Sequence, residues 1–232
     1  SLPQFHTRQN AMVDRCEITG RTPCTVVDLD GTYIDGNTLK IYLRCGIGYG
    51  LRKRLFKTSL RLLAAVASRK CGLIGHERMK ETILSALYPH DEILPAFKKK
   101  ALAAVNPGVR SLLTRNRDRG HRILLATAAP DYYVRSIWNG DFVATVFKPG
   151  QTLVECRGEE KLRRVNEWLE NNGCTMDTVV TDHSDDSPVV SANTYGINIL
   201  VKPSKSTLRF FRQLKPAHLF LVEDIDDLGV TR

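Results

Sequence analysis

The chain has 232 residues, 42% apolar and 25% charged, which suits one substantial core, or a core carrying a smaller inserted unit, and excludes a disordered protein. No apolar stretch reaches about 18 residues, and the first 20 residues lack the basic-then-apolar order of a signal peptide, so a soluble, cytoplasmic protein is expected. The net charge is +9, and Cys16, Cys24, Cys45, Cys71, Cys156 and Cys174 form no C-x-x-C pair and have no His at zinc spacing, which fits a reduced cytosolic setting.

The first element is "CTVV", residues 24–27, a continuous apolar and β-branched run of the kind buried on both faces of a parallel sheet. It closes on Asp28 and Asp30, followed by Gly31 and Thr32, at the carboxyl end where open α/β sheets hold their ligands. Three helices are expected next. Residues 51–67 carry Leu51, Leu55, Leu62 and Val66 at a helical period, residues 76–89 place Met79, Ile83, Leu84 and Leu87 on one stripe before Pro89, and residues 92–105 end at "NPG".

This helical stretch, about residues 35–107, also holds the charge. Residues 37–110 contain 15 Lys and Arg against 4 Asp and Glu, so the segment carries +11 and the rest of the chain is slightly acidic. Solvated helix faces are the commoner origin of such a run, and an anionic substrate or partner is the alternative. Phe56 is the only aromatic residue between 52 and 70, which argues against a nucleic-acid partner that stacks bases. A membrane surface ranks behind a small anionic substrate.

Strand and helix then alternate: a helix at 109–119 stopped by Gly120, a strand at 122–127, a helix at 131–139, a strand at 142–147 and a helix at 158–173 stopped by Gly173. Strands at 177–182 and 197–203, a helix at 206–214 and a final apolar run at 219–224 follow. This rhythm predicts an α/β fold with a doubly wound, mostly parallel, Rossmann-like sheet. Thr127 closes the second strand, Lys161 lies in the first turn of the helix that begins at Gly158, and "TDHSDD", with Asp182, Asp185 and Asp186, closes a later strand. Singly, these are a strand threonine, a solvated lysine and a capping loop. Together they arrive in order at ends that converge on one crevice.

Here the chain resembles the haloacid dehalogenase-like (HAD) hydrolase superfamily over residues 24–203. "DLDGT", "LLATAAP", Lys161 and "TDHSDD" match its four motifs, with separations of 99, 34 and 21 residues from Asp28 to Thr127 to Lys161 to Asp182. The resemblance implies a core of residues 1–34 and 110–232, with residues 35–109 as a helical type-1 cap of the phosphoserine-phosphatase-like branch. It also implies a Mg²⁺-dependent phosphomonoester phosphatase acting on a small phosphorylated metabolite. Asp28 would be the nucleophile that forms an aspartyl-phosphate, and Asp30 the acid and base. Asp28, the Asp30 carbonyl and Asp182 would hold Mg²⁺, and Lys161, Thr127 and the backbone at Ala128 would hold the phosphate. Asp186 or Asp185 would support the metal loop, Asp186 matching the family spacing better.

The second aspartate resembles phosphatases and some phosphomutases rather than dehalogenases. A phosphotransferase or mutase with the same intermediate, or a docking protein using the basic insert, are the alternative readings. The chain departs from phosphoserine phosphatases at Asn37, where they carry Glu, and at Ala128-Ala129, where they carry Gly-Gly. It also places His183 beside the expected metal ligand, where it would cap the loop. Since the Glu replaced by Asn37 would hold the substrate ammonium group, that departure argues against phosphoserine itself as the substrate.

Overall fold

The computed structural model describes residues 20–222; Cys16 and the parts of the expected core at residues 1–19 and 223–232 lie outside them. Among the described residues, β1 (Thr22–Val27), β2 (Arg122–Pro130), β3 (Asp141–Thr145), β4 (Cys174–Thr181), β5 (Ile197–Val201) and β6 (Leu219–Val222) form one sheet in the order β3-β2-β1-β4-β5-β6. Every pairing is parallel. The chain runs outward from β1 through β2 to β3, then crosses back to β4, so the strand order reverses beside β1. In a doubly wound sheet that reversal opens a crevice at the carboxyl ends.

The apolar run of β1 is explained by cover on both faces. Cys24 and Val26 pack with Leu124, Val165 and Phe211 on one side, and Val27 packs with Leu125, Val134 and Val180 on the other. The helices are α1 (Thr38–Arg52), α2 (Phe56–Lys70), α3 (His76–Leu87), α4 (Leu94–Ala103), α5 (Pro107–Asp118), α6 (Asp131–Ile137), α7 (Gly158–Asn171), α8 (Ser187–Ala192) and α9 (Lys205–Leu214). Helices α1 to α4 fill the long connection from β1 to β2 as the sequence predicts, and Ile83, Leu84 and Leu87 of α3 are buried as its stripe requires.

One expectation in this connection is corrected, and one helix, α1, has no assignment of its own within the helical stretch. It contains "CGIGYG", three glycines in six residues. The fold uses two of them for close helix crossings: a Cβ on Gly46 would collide with Leu87, and one on Gly50 with the Ser59 hydroxyl. The helix expected at 51–67 begins at Phe56, because Arg54 at φ 57° breaks the chain between α1 and α2. Leu51 therefore stands 57% exposed instead of joining the buried stripe, while Leu62 is buried as expected.

The connection leaves and re-enters the sheet at one point. Asp35 N–H donates to Ala104 O (2.7 Å) and Asn106 N–H to Tyr33 O (2.8 Å), flanking an antiparallel bridge between Ile34 and Val105. Aromatic packing adds a second tie. Phe97 of α4 and Tyr42 of α1 meet Tyr133 of α6 with ring centroids 4.9 and 5.2 Å apart, contacts each contributing about 0.5–1.5 kcal/mol beyond burial.

Candidate active site

The carboxyl ends of β1, β2 and β4 and the first turn of α7 meet around Asp28. Its N–H donates to Val180 O (2.9 Å), which fixes the backbone against β4, and its Oδ1 accepts from Lys161 Nζ (2.8 Å). Lys161 also pairs with Asp186 Oδ1 at 2.5 Å, and Asp186 Oδ2 accepts from Thr181 Oγ1 (2.7 Å). The side chains of Lys161 and Asp186 are only 5% and 6% exposed, so Lys161 is a buried ammonium between two carboxylates and not a solvated helix residue. Both neighbours keep it protonated far above the pH at which burial alone would discharge it.

The acidic groups here outnumber that ammonium. Burial pushes the Asp28 carboxyl up to about 8, with Asp186 and Asp182 adding to the rise against the pull of Lys161. Burial likewise raises Asp182, whose Oδ1 accepts from Thr32 Oγ1 (3.2 Å). Gly31, at φ 82°, passes so close to Asp182 that a Cβ would collide with its carboxylate. Excess buried negative charge on oxygen donors suits a hard divalent cation in sign and atom type. Among the described residues no three His, Cys, Asp or Glu side chains form a ready-made cage.

Asp30, two residues from Asp28, lies in a different setting. Its Oδ1 accepts from the backbone N–H of Thr38 (2.6 Å) at the start of α1, and among the described residues it has no salt bridge. Burial raises its carboxyl above the ordinary range, while the Thr38 N–H lowers it. Thr38 is itself fixed through its hydroxyl, 3.1 Å from Tyr133 OH. Thr127 does not close β2 as expected, since the strand runs on to Pro130 past a register shift with β3; it is buried, and its Oγ1 accepts from Ala129 N–H (3.0 Å). The loop after β4 separates the neighbouring aspartates: Asp186 reaches Lys161, and Asp185 turns outward to Arg157 (2.5 Å). His183 caps that loop, its Nδ1 accepting from Asp185 N–H (3.2 Å).

The sequence did not identify Thr32, Thr38, Lys80, Tyr133 or Glu155, all of which shape the site. Lys80 of α3 donates to Ala128 O (2.7 Å) and Glu155 Oε1 (2.6 Å), linking the inserted helices to the end of β2 beside Thr127. Its signal was legible: Lys80 precedes Ile83, Leu84 and Leu87 at three, four and seven residues, so it occupies a buried stripe. Glu155 lies in a stretch without periodicity and carried no such signal. Lys80, Tyr133 and Glu155 line a cavity of about 1070 Å³ with Asp28, Asp30 and Lys161, and the inserted helices add Lys40, Arg44, Arg69 and His76 to its lining.

A family model described as haloacid dehalogenase-like hydrolase matches residues 25–191. No curated protein matches the chain significantly. Among solved structures, a protein of unknown function from Bordetella pertussis Tohama I is 18% identical with a TM-score of 0.69, over 88% of this chain and 99% of its own. A phosphoserine phosphatase in apo form is 13% identical with a TM-score of 0.58, over 90% and 97%. A predicted phosphatase from Clostridium acetobutylicum is 16% identical with a TM-score of 0.53, over 90% and 96%. At such identities the structures share the fold. The family match spans all the strand ends that carry the site, and the chain belongs to the haloacid dehalogenase-like hydrolase family.

Proposed function

We propose that the protein is a Mg²⁺-dependent phosphomonoester phosphatase that works through an aspartyl-phosphate, with residues 35–109 as a cap over the core and a small phosphorylated metabolite as substrate in the cytoplasm. Asp28 attacks phosphorus as the bond to the leaving oxygen breaks, and the Asp30 carboxylic acid gives that oxygen its proton. Asp30 then takes a proton from water as water attacks the aspartyl-phosphate, which frees Asp28 and inorganic phosphate. Lys161 favours the charged form of Asp28 against the effect of burial and meets a phosphate oxygen. The Thr127 hydroxyl, oriented by Ala129 N–H, donates to another, with the backbone at Ala128 beside it. Mg²⁺, held by Asp28, the Asp30 carbonyl and Asp182, would offset the repulsion between carboxylate and phosphate when bound. Asp186 anchors Lys161, and Asp185 belongs to the rim.

The observation that carries this reading is the unequal treatment of two carboxylates one residue apart. Burial raises the proton affinity of both, but Asp28 faces a buried ammonium that favours its charged form, whereas Asp30 is held by a backbone N–H. A nucleophile and an acid need that division. Asn37 uses its side-chain oxygen to cap α1 at Lys40 N–H (3.0 Å), which supports a substrate other than phosphoserine. The test is an aryl phosphate with Mg²⁺: turnover, with transient phosphorylation of Asp28 detected by mass spectrometry, is the expected result. Turnover without a phosphorylated intermediate on Asp28 would refute the mechanism.

A further inference from the structure

Helix α2 has two apolar faces. Ser59, Leu62 and Ala65 are buried beneath it, as a surface helix requires. Phe56, Leu60 and Leu63, at positions i, i+4 and i+7, point outward instead, 64%, 68% and 53% exposed. Leu51 before the helix and Leu73 after it are exposed as well. An outward face of this kind is ordinarily polar, and a contiguous apolar one marks an interaction surface.

Charge identifies the partner. Residues 41–76 contain eight Lys and Arg and no Asp or Glu. Lys57 and Arg61 follow the apolar stripe along one flank, and Arg52, Lys53 and Arg54 precede it. Among the described residues none of these five takes part in a salt bridge, although buried cations elsewhere in the molecule are paired. Long basic side chains beside a convex apolar helix can lay their stems on it and reach anionic headgroups with their charged ends. A second copy of the chain is disfavoured, because a two-fold contact on this face would bring two acid-free, positively charged surfaces together. Nucleic acid is disfavoured by the single aromatic residue, Phe56, between 52 and 70.

We propose that the exposed face of α2, with Leu51 and Leu73 at its ends, docks the protein on an anionic phospholipid surface. Apolar insertion and headgroup attraction act together, since neither alone gives firm attachment. The same helix contributes Arg69 to the cavity wall, so docking brings the cavity near the lipid surface.

The test is co-sedimentation of the full chain with phosphatidylcholine vesicles, with and without about 30% phosphatidylserine. Binding only to the anionic vesicles, weakening as salt rises from about 0.1 to about 1 M, is expected. The triple variant Phe56→Ser/Leu60→Ser/Leu63→Ser and the charge variant Lys53→Gln/Lys57→Gln/Arg61→Gln should each lower binding about tenfold or more. Both should keep the thermal midpoint and turnover of a soluble ester, because these side chains are exposed and outside the cavity. Absence of binding to anionic vesicles overturns the proposal, as does equal binding by the triple variant. A dimer in solution that the triple variant converts to monomer assigns the face to a second copy and overturns it too.

Discussion

The strand-end site and the outer face of the inserted helices handle charge in opposite ways. Around Asp28 the ionic groups are fixed: Lys161 lies between Asp28 and Asp186, Thr181 also donates to Asp186, and Thr32 donates to Asp182. On α2 the cations are solvated and, among the described residues, outside salt bridges, and Phe56, Leu60 and Leu63 beside them are apolar. Buried charges need partners at set distances, whereas solvated ones tolerate many arrangements. The first region therefore has a sequence signature and the second only a composition.

The largest effect that sharpens this contrast is expected at Asp28. Asp28→Asn keeps the shape but removes the proposed nucleophile, so aryl phosphate hydrolysis should fall by about 10³-fold or more with the fold retained. Retention of more than a few per cent of activity would remove Asp28 from its role. Chelation should act almost as strongly. Activity should disappear without divalent cation, return with Mg²⁺ and be inhibited by Ca²⁺, whose looser shell spoils in-line geometry. Full turnover in excess chelator would show that the acidic excess serves another purpose. Asp30→Asn should then cost about 10²-fold or more for alkyl phosphates and less for aryl phosphates, which leave without a proton. Equal losses for both substrates would assign the acid elsewhere.

Legibility followed the same division. The apolar run ending at Asp28, the ordered strand ends and the position of Lys161 were readable because a doubly wound sheet converges its carboxyl ends whatever its loops contain. Helix α1 was not readable, since Gly46 and Gly50 signal a loop locally and act as crossing points only once α2 and α3 are in place. The outward stripe of α2 was hidden by the break at Arg54, which shifts the helical phase from the one counted from Leu51. Glu155 had no local pattern, because its place is set by Lys80, 75 residues away in sequence.

The joint between the two regions can be broken at Lys80. Its pair with Glu155 is nearly dry, with side chains 5% and 9% exposed, so Lys80→Met strands a buried carboxylate and should lower stability by about 3 kcal/mol. Adding Glu155→Leu should recover much of that loss in a denaturant titration. If the single variant is as stable as the parent protein, the pair does not join insert to core. The Asp28 carboxyl gives a smaller, pH-dependent effect. Its folded value of about 8 lies above the ordinary 3.8, so without metal the folded protein holds a proton that the unfolded chain releases. This contribution is fully present below about pH 4 and is lost as pH rises through about 8. Asp28→Asn should flatten that part of the stability profile in chelator, and an unchanged profile would show that other groups dominate it.

The smallest effects should divide the insert itself. Arg44 and Arg69 line the cavity, whereas Lys57 and Arg61 flank the outer stripe of α2. Screening acts over about 8–10 Å at ordinary ionic strength, so only cations near the cavity mouth should steer an anionic substrate strongly. Arg44→Gln/Arg69→Gln should lower kcat/KM several-fold for a substrate with a second anionic group, and should flatten its salt dependence. Lys57→Gln/Arg61→Gln should leave both within about twofold for a soluble ester. A common loss in the two variants would mean that the insert attracts substrate through its total charge, and the distinction between its inner wall and its outer face would fail. A loss confined to the inner pair would show that one basic segment serves substrate capture on one side and leaves the other side free for docking.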